Sequence, residues 1–278
     1  MPASTTGPAG AGRPGASASP RACGHPESPR EPSADFAAGR LEAGQVRAMF
    51  DRIAGVYDLM NTAMTAGLHH RWRERAADMA RVGPGSRVLD VATGTGDLAM
   101  ELARRVAPAG EVVACDFSEP MLHRARAKNR SPELLHFEWA DALALPYTQD
   151  SFDAVTVGFG ARNFSDLDAG LAEMVRVTRP GGHVVVLEIT TPTRPPLSSF
   201  FALWFDRLVP ALGRLAGDSQ AYTYLPSSVR RFPPPRELAA ALAGCGLTEI
   251  SYRVLAGGII AIHAGTVAHT PSLVGSPR

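Results

Sequence analysis

The chain has 278 residues, 45% hydrophobic and 20% charged, with a formal net charge of +1. Balanced charge without a lysine-rich run argues against a nucleic-acid partner, and no apolar run reaches the ~20 residues that a membrane-spanning helix needs. Cys23, Cys115 and Cys245 are odd in number and far apart, with no zinc spacing; this suits a reducing cytoplasm better than a disulfide framework, and no metal site is expected.

Residues 1–42 carry Pro2, Pro8, Pro14, Pro20, Pro26, Pro29 and Pro32 in a tract of Gly, Ala and Ser. Such a tract buries too little apolar surface to offset chain entropy and is expected to be disordered. It lacks the apolar core of a signal peptide. Arg13 and Arg21 stand among Ser and Ala with no acid before Glu27, as in a transit peptide, but seven prolines oppose the amphipathic helix such peptides form. From residue 43 a folded domain is expected to run to 267, with a helical insert at about 195–235 and a flexible end over 268–278. Val46, Met49, Phe50 and Ile53 recur at helical spacing, and Leu68 to Met79 forms another helix with Trp72 read as core.

After Val82-Gly83-Pro84-Gly85 the pattern alternates. Strands are expected at Arg87–Val91, Glu111–Asp116, Leu134–Ala140, Phe152–Val157 and His183–Ile189, with helices at Asp97–Val106, Glu119–Asn129 and Leu167–Val177. Strands separated by helices make a parallel sheet covered on both faces. Leu247–Leu255 and Ile259–Ala264 flank Ala256-Gly257-Gly258 and read as a closing antiparallel hairpin.

The first strand runs into Asp90-Val91-Ala92-Thr93-Gly94-Thr95-Gly96-Asp97. Gly94 and Gly96 permit a tight turn and close backbone approach to a ligand at a helix N-terminus. A dinucleotide loop is the competing reading, since Ala99 occupies a position where that motif tolerates alanine. Asp90 argues against it: an acid before the loop repels a pyrophosphate and suits the cationic amino group of S-adenosylmethionine. No Gly-Lys-Ser/Thr follows, which excludes a P-loop. Asp116, twenty residues after Gly96, can accept both hydroxyls of an adenosine ribose; its plainer reading is a helix cap, which Ser118 can supply instead. Asp141-Ala142 follows the third strand, where Asp141 can accept from the adenine amine. Arg179-Pro180-Gly181-Gly182 reads as a turn. Together these predict a class I S-adenosylmethionine-dependent methyltransferase fold: a Rossmann-like, mostly parallel seven-stranded sheet ending in an antiparallel hairpin.

Further motifs carry a closer likeness. Tyr57-Asp58-Leu59-Met60-Asn61, Gly67-Leu68-His69-His70-Arg71-Trp72-Arg73, Gly158-Phe159-Gly160-Ala161-Arg162-Asn163 and Gly257-Gly258-Ile259-Ile260-Ala261-Ile262-His263 resemble the signatures of the menaquinone/ubiquinone biosynthesis C-methyltransferases, over about residues 44–266. The resemblance implies S-adenosylmethionine contacts at Thr95, Asp116, Asp141 and Ala142. Asp141 stands where many members carry Asn, and Gly158 where many carry Ser, so Gly158 offers backbone only. It further implies methylation of a ring carbon of a prenylated quinol, naphthoquinol before benzoquinol. Ionisation of the quinol hydroxyl makes that carbon nucleophilic. Arg162 is the candidate to stabilise the phenolate, directly or through a water, with Asn163 orienting it; the plainer reading of Arg162 is a loop-positioning salt bridge. Tyr57, Asn61, His69 and Tyr224 are candidates to line the quinol pocket, His69 also as a weaker base candidate. The apolar segment Phe200–Val209, ended or kinked by Pro210, is expected to cover the quinone and guide its tail; contact with the inner face of a membrane and a homodimer stay open. The competing functions are an NAD-dependent oxidoreductase and a methyltransferase-like scaffold subunit, the latter disfavoured by the intact set Asp90, Gly94, Gly96, Asp116 and Arg162.

Overall fold

The computed structural model describes residues 43–55, 57–208 and 219–269. The expectations for residues 1–42, for Val209-Pro210 and for 270–278 lie outside these.

Three helices come first: α1 (Ala43–Ile53), α2 (Tyr57–Thr65) and α3 (Leu68–Met79). A sheet follows with β1 (Arg87–Val91), β2 (Glu111–Asp116), β3 (Leu135–Trp139), β4 (Phe152–Gly158) and β5 (Thr178–Ile189), crossed over by α4 (Asp97–Val106), α5 (Glu119–Lys128) and α6 (Leu167–Val177). Then come α7 (Leu197–Leu203), a π-helical turn at Trp204–Leu208, α8 (Ser219–Arg231), α9 (Pro235–Gly244), β6 (Leu247–Leu255) and β7 (Ile260–Val267). The sheet order is β3-β2-β1-β4-β5-β7-β6; pairings from β3 through β5 are parallel, and β7 runs antiparallel to both β5 and β6. This is the seven-stranded arrangement expected from the sequence.

Apolar runs with β-branched residues form the central strands, because both faces are covered. Val184, Val186 and Leu187 are fully buried in β5. One layer packs α4 through Leu98, Leu102 and Val106 onto Val88, Val112 and Val185; the other packs α6 through Leu171 and Met174 onto Leu89, Val113 and Val155. Each such side chain contributes about 1.5–3 kcal/mol by leaving water. Asp166 caps α6 by accepting from the Ala169 amide at 3.0 Å, and Ser118 caps α5 through the Met121 amide at 3.4 Å. The cap at α5 is therefore Ser118, which leaves Asp116 for other work.

Two expectations need correction. Arg179-Pro180-Gly181-Gly182 lies within the span of β5 and does not precede it. The ladder shows why: Thr178 pairs with Phe152 and His183 with Ala154, so the four residues form a bulge in the strand. Gly181 takes a left-handed φ of 77° there, and a Cβ on Gly182 would sit 2.7 Å from the Asp153 carbonyl oxygen. Second, Trp72 is not simply core: it packs edge-on against Phe159 and lines a cavity. His263, in the last quoted motif, is buried in β7 and donates from Nε2 to the Pro235 carbonyl at 2.8 Å, which ties α9 to the sheet.

Candidate active site

The sheet order reverses between β1 and β4, and ligands of open α/β sheets bind beyond the carboxyl ends of strands at such a point. The backbone there is strained in the way a binding site tolerates. Ala92 after β1 and Phe159 after β4 both hold positive φ, 51° and 62°. Gly94 and Gly96 are also left-handed. A Cβ on Gly96 would meet the Phe137 ring at 2.8 Å, whereas one on Gly94 would meet nothing within 4 Å. Gly96 is thus required by packing, and Gly94 opens onto a free cleft.

That cleft is lined by Asp90, Gly94, Thr95, Asp116, Asp141, Ala142 and Gly158, among others; Gly96 shapes the turn beneath it. Asp90 is fully enclosed, its two oxygens accepting from the hydroxyls of Thr93 and Thr156 at 2.6 Å each. Burial pushes its pKa up to about 6, against those hydrogen bonds. Asp116 accepts from the amides of Gly94 at 2.8 Å and Ser118 at 2.9 Å, and burial raises it to about 6 as well. Two carboxylates held out of water at the ends of adjacent strands suit a ligand bearing a cation and a diol. Asp141 is exposed and accepts from the Leu143 amide at 3.0 Å. Thr95 is buried and its hydroxyl proton is committed to Asp58 at 2.5 Å, so its side chain serves helix α2. Gly158 supplies backbone to the wall, and a Cβ there would crowd Leu98 at 3.1 Å.

Beside this cleft lies a second cavity of about 300 Å³. Tyr57, Asn61, His69, Tyr224, Arg162 and Asn163, all singled out from sequence as acceptor-side or catalytic candidates, line it. Most of the rest of its wall is apolar, with Phe200, Phe201, Trp204 and Phe205 from α7 and the π-helical turn; Thr65, Arg73 and Ser228 are its other polar residues. Phe50, Tyr57, Arg73, Phe159 and Asn163 line both spaces. These residues form the wall common to the two spaces.

Arg162 sits in a 3-10 turn, Ala161–Asn163, after β4. Its Nη1 donates to Glu188 Oε2 at 2.9 Å and to the Phe159 carbonyl, and its own amide donates to Glu188 Oε1 at 3.1 Å. The salt-bridge reading of Arg162 is thus present, but it does not exhaust the side chain. Nε of Arg162 and Oδ1 of Asn163 are buried with no partner among the described residues. An unpaired buried donor beside an unpaired buried acceptor costs stability unless a ligand satisfies them. Burial opposes the guanidinium charge, yet Glu188 beside it holds its pKa above the ordinary value. Glu188 was not singled out from sequence; it lies 26 residues away, and only the β4–β5 pairing brings it near. His69 shares a 2.8 Å hydrogen bond with Thr65 through Nδ1, and burial with Arg73 and His70 nearby lowers its pKa to about 4. It lines the cavity, and its imidazole is neutral at neutral pH. Among the described residues no group of side chains can hold a metal ion.

Residues 39–267 match the ubiE/COQ5 methyltransferase family. The chain belongs to that family. It is 42% identical over 247 residues to the demethylmenaquinone methyltransferase of Desulfitobacterium hafniense, covering 87% of this chain and 97% of that one. With the demethylmenaquinone methyltransferase of Thermus thermophilus the identity is 47% over 219 residues, 78% of this chain and 99% of the other. Among solved structures, the [4+2]-cyclase SpnF superposes with a TM-score of 0.61 at 18% identity, covering 82% of this chain and 97% of that one. A SAM-dependent methyltransferase from Aquifex aeolicus gives 0.51 at 17% identity, over 82% and 100%. These two likenesses speak to the fold alone, that of class I methyltransferases. As a member of the ubiE/COQ5 family the chain is a methyltransferase, and the oxidoreductase and scaffold readings fall away.

Proposed function

We propose that the chain transfers a methyl group from S-adenosylmethionine to a ring carbon of a reduced, prenylated naphthoquinone, converting demethylmenaquinol to menaquinol; the sulfur–methyl bond breaks, and the hydrogen on the methylated ring carbon leaves as a proton to solvent. The observation that carries this reading is the adjacency of an acid-lined cleft and an apolar cavity across Phe50, Tyr57, Phe159 and Asn163. S-adenosylmethionine supplies an electrophilic methyl when bound. Asp90 would take its ammonium, Asp116 its ribose hydroxyls and Asp141 its adenine amine. The protein's own work is to align donor and acceptor and to lower the cost of the phenolate. A phenol titrates near ~10, so ionisation at neutral pH needs a neighbouring cation. Arg162 supplies that charge in the cavity, fixed by Glu188. The relatives' names favour the naphthoquinol over a benzoquinol ring. The test is labelled-methyl transfer to chemically reduced demethylmenaquinone, with a reduced demethylated benzoquinone and the oxidised naphthoquinone run beside it. Label in the reduced naphthoquinone alone is expected. Label in the benzoquinol alone overturns the ring assignment, and label in neither overturns the substrate class.

The same reading places the acceptor's tail along α7. Phe201 and Phe205 stack inside at 4.1 Å, while Phe200 and Leu203 stay 55% and 48% exposed. No helix among the described residues is long and apolar enough to cross a membrane. Exposed apolar side chains beside the cavity would let the protein draw a lipid-soluble acceptor from a bilayer surface. The protein should co-float with liposomes, and Phe200→Ser with Leu203→Ser should reduce the bound fraction; equal flotation of both proteins removes these two side chains from the contact, and flotation of neither removes the membrane contact itself.

A further inference from the structure

Two side chains of the N-terminal helices reach the loops of the cleft that holds the donor. Asp51 of α1 accepts from the Ser118 hydroxyl at 2.5 Å, on the loop after β2. Asp58 of α2 accepts from the Thr95 hydroxyl at 2.5 Å, on the loop after β1. Ser118 and Thr95 are both buried, so each hydroxyl is directed at its carboxylate and away from water. Asp58 also receives Lys128 Nζ at 2.9 Å; the same Nζ reaches Asp97 at 2.7 Å, which Arg73 faces from α3 at 3.5 Å. One charge cluster therefore joins α2 and α3 to the start of α4 and the end of α5.

The residues next to these two acids are Phe50 and Tyr57, and both line the donor cleft and the acceptor cavity. Each helix thus repeats one device: an aromatic ring between the two spaces, followed at once by a carboxylate pinned to a donor loop. At 11 and 9 residues, α1 and α2 are too short to hold helical form unaided. Their seating depends on apolar contacts to Met121 and Tyr224 and on these charge-assisted bonds.

We propose that Asp51 and Asp58 are positioning residues that seat α1 and α2 on the two donor loops, so that filling the donor cleft completes the wall of the acceptor cavity. The inference deepens the quinol methyltransferase reading and rests on it only for the identity of the acceptor. Donor in the cleft orders the Thr95 and Ser118 loops, the loops hold the acids, and the acids hold Phe50 and Tyr57. By reciprocity the acceptor must tighten the donor by the same factor.

The test compares the wild type with the Asp51→Asn/Asp58→Asn double variant in two readouts. Hydrogen exchange over residues 43–65 is followed with and without S-adenosylhomocysteine, which needs no acceptor. Binding of a short-tailed menaquinol is read from the fluorescence of Trp72 and Trp204, which line the cavity. In the wild type, S-adenosylhomocysteine should slow exchange in α1 and α2 and tighten the menaquinol about tenfold, within the usual range of coupling. In the double variant both effects should shrink, the affinity change to under about twofold, while kcat at saturation falls less than the acceptor KM rises. If the double variant does not fold, Thr95→Val removes the Asp58 contact from the loop side while leaving the Ser118 cap of α5 in place, and should by itself reduce the donor-induced protection of α2. Equal donor-induced protection in wild type and variant overturns the proposal, as does no protection in the wild type. Protection that behaves as expected with no menaquinol binding contradicts the substrate reading and leaves the coupling standing.

Discussion

Arg162→Lys is expected to lower kcat by about 10²–10³-fold, the cost of losing one positioned donor to a developing oxyanion, with donor affinity unchanged. Lysine keeps a positive charge near Glu188 but loses the planar fork and the Nε–H that lies buried without a partner. Arg162 does not line the donor cleft, so S-adenosylmethionine binding should not move. Arg162→Ala is the harsher variant: it leaves Glu188, 1% exposed, as an uncompensated buried charge, which typically costs about 3–5 kcal/mol. A low activity in that protein alone could reflect unfolding, so thermal melts must accompany it. Turnover of Arg162→Lys at the wild-type rate would reduce Arg162 to its salt bridge with Glu188.

Asp90→Asn should produce opposite changes in two properties. The Asp90 pKa rises on folding from 3.8 to about 6 because burial penalises the charged form. Between those values the folded state keeps a proton that the unfolded chain releases, so stability falls as pH rises through this window. Above it the penalty is constant, at roughly 3 kcal/mol for about two pKa units. Asparagine carries no such penalty, and its amide still fits between Thr93 and Thr156. The unliganded variant should therefore melt higher than wild type at pH 7.5, and the difference should shrink toward pH 4. Donor affinity should drop by about 10–100-fold, because the ammonium loses its counter-charge. Wild-type donor affinity should also weaken below about pH 6, as Asp90 and Asp116 take up protons. A variant that binds donor normally would remove Asp90 from the site. This is the usual conflict between stability and function at a binding cleft.

The donor side was the more legible half of the site. Its signals are local: an acid ends each of two strands, glycines follow the first within six residues, and strand and helix patterns around them are strong. Those patterns fixed β1, α4, β2 and α6 at or near their observed ends. The acceptor side depends on contacts across long separations. Asp58 meets Thr95 across 37 residues and Lys128 across 70, and Arg162 meets Glu188 across 26. Polar residues in Tyr57–Thr65 weaken the helical periodicity, so the sequence does not mark α2 as a helix, although the motif points to its Tyr57 and Asn61. Trp72 both packs on the core and lines the cavity, and an apolar stripe does not distinguish a packed face from a cavity wall. The bulge at Arg179–Gly182 was legible as a turn, but its place inside a ladder follows only from the partner strand.

The most direct test of donor and acceptor sharing one site is a structure of the protein with S-adenosylhomocysteine and a reduced short-tailed menaquinone bound together. The sulfur is expected beside Gly94 and Asp90, the quinol ring in the cavity of about 300 Å³, and the reacting carbon facing the sulfur across Phe159 and Asn163. A quinol oxygen should lie within hydrogen-bond reach of Arg162, directly or through one water. A quinol seated elsewhere, or one whose ring faces away from the sulfur with Arg162 still bound only to Glu188 and Phe159, would contradict it.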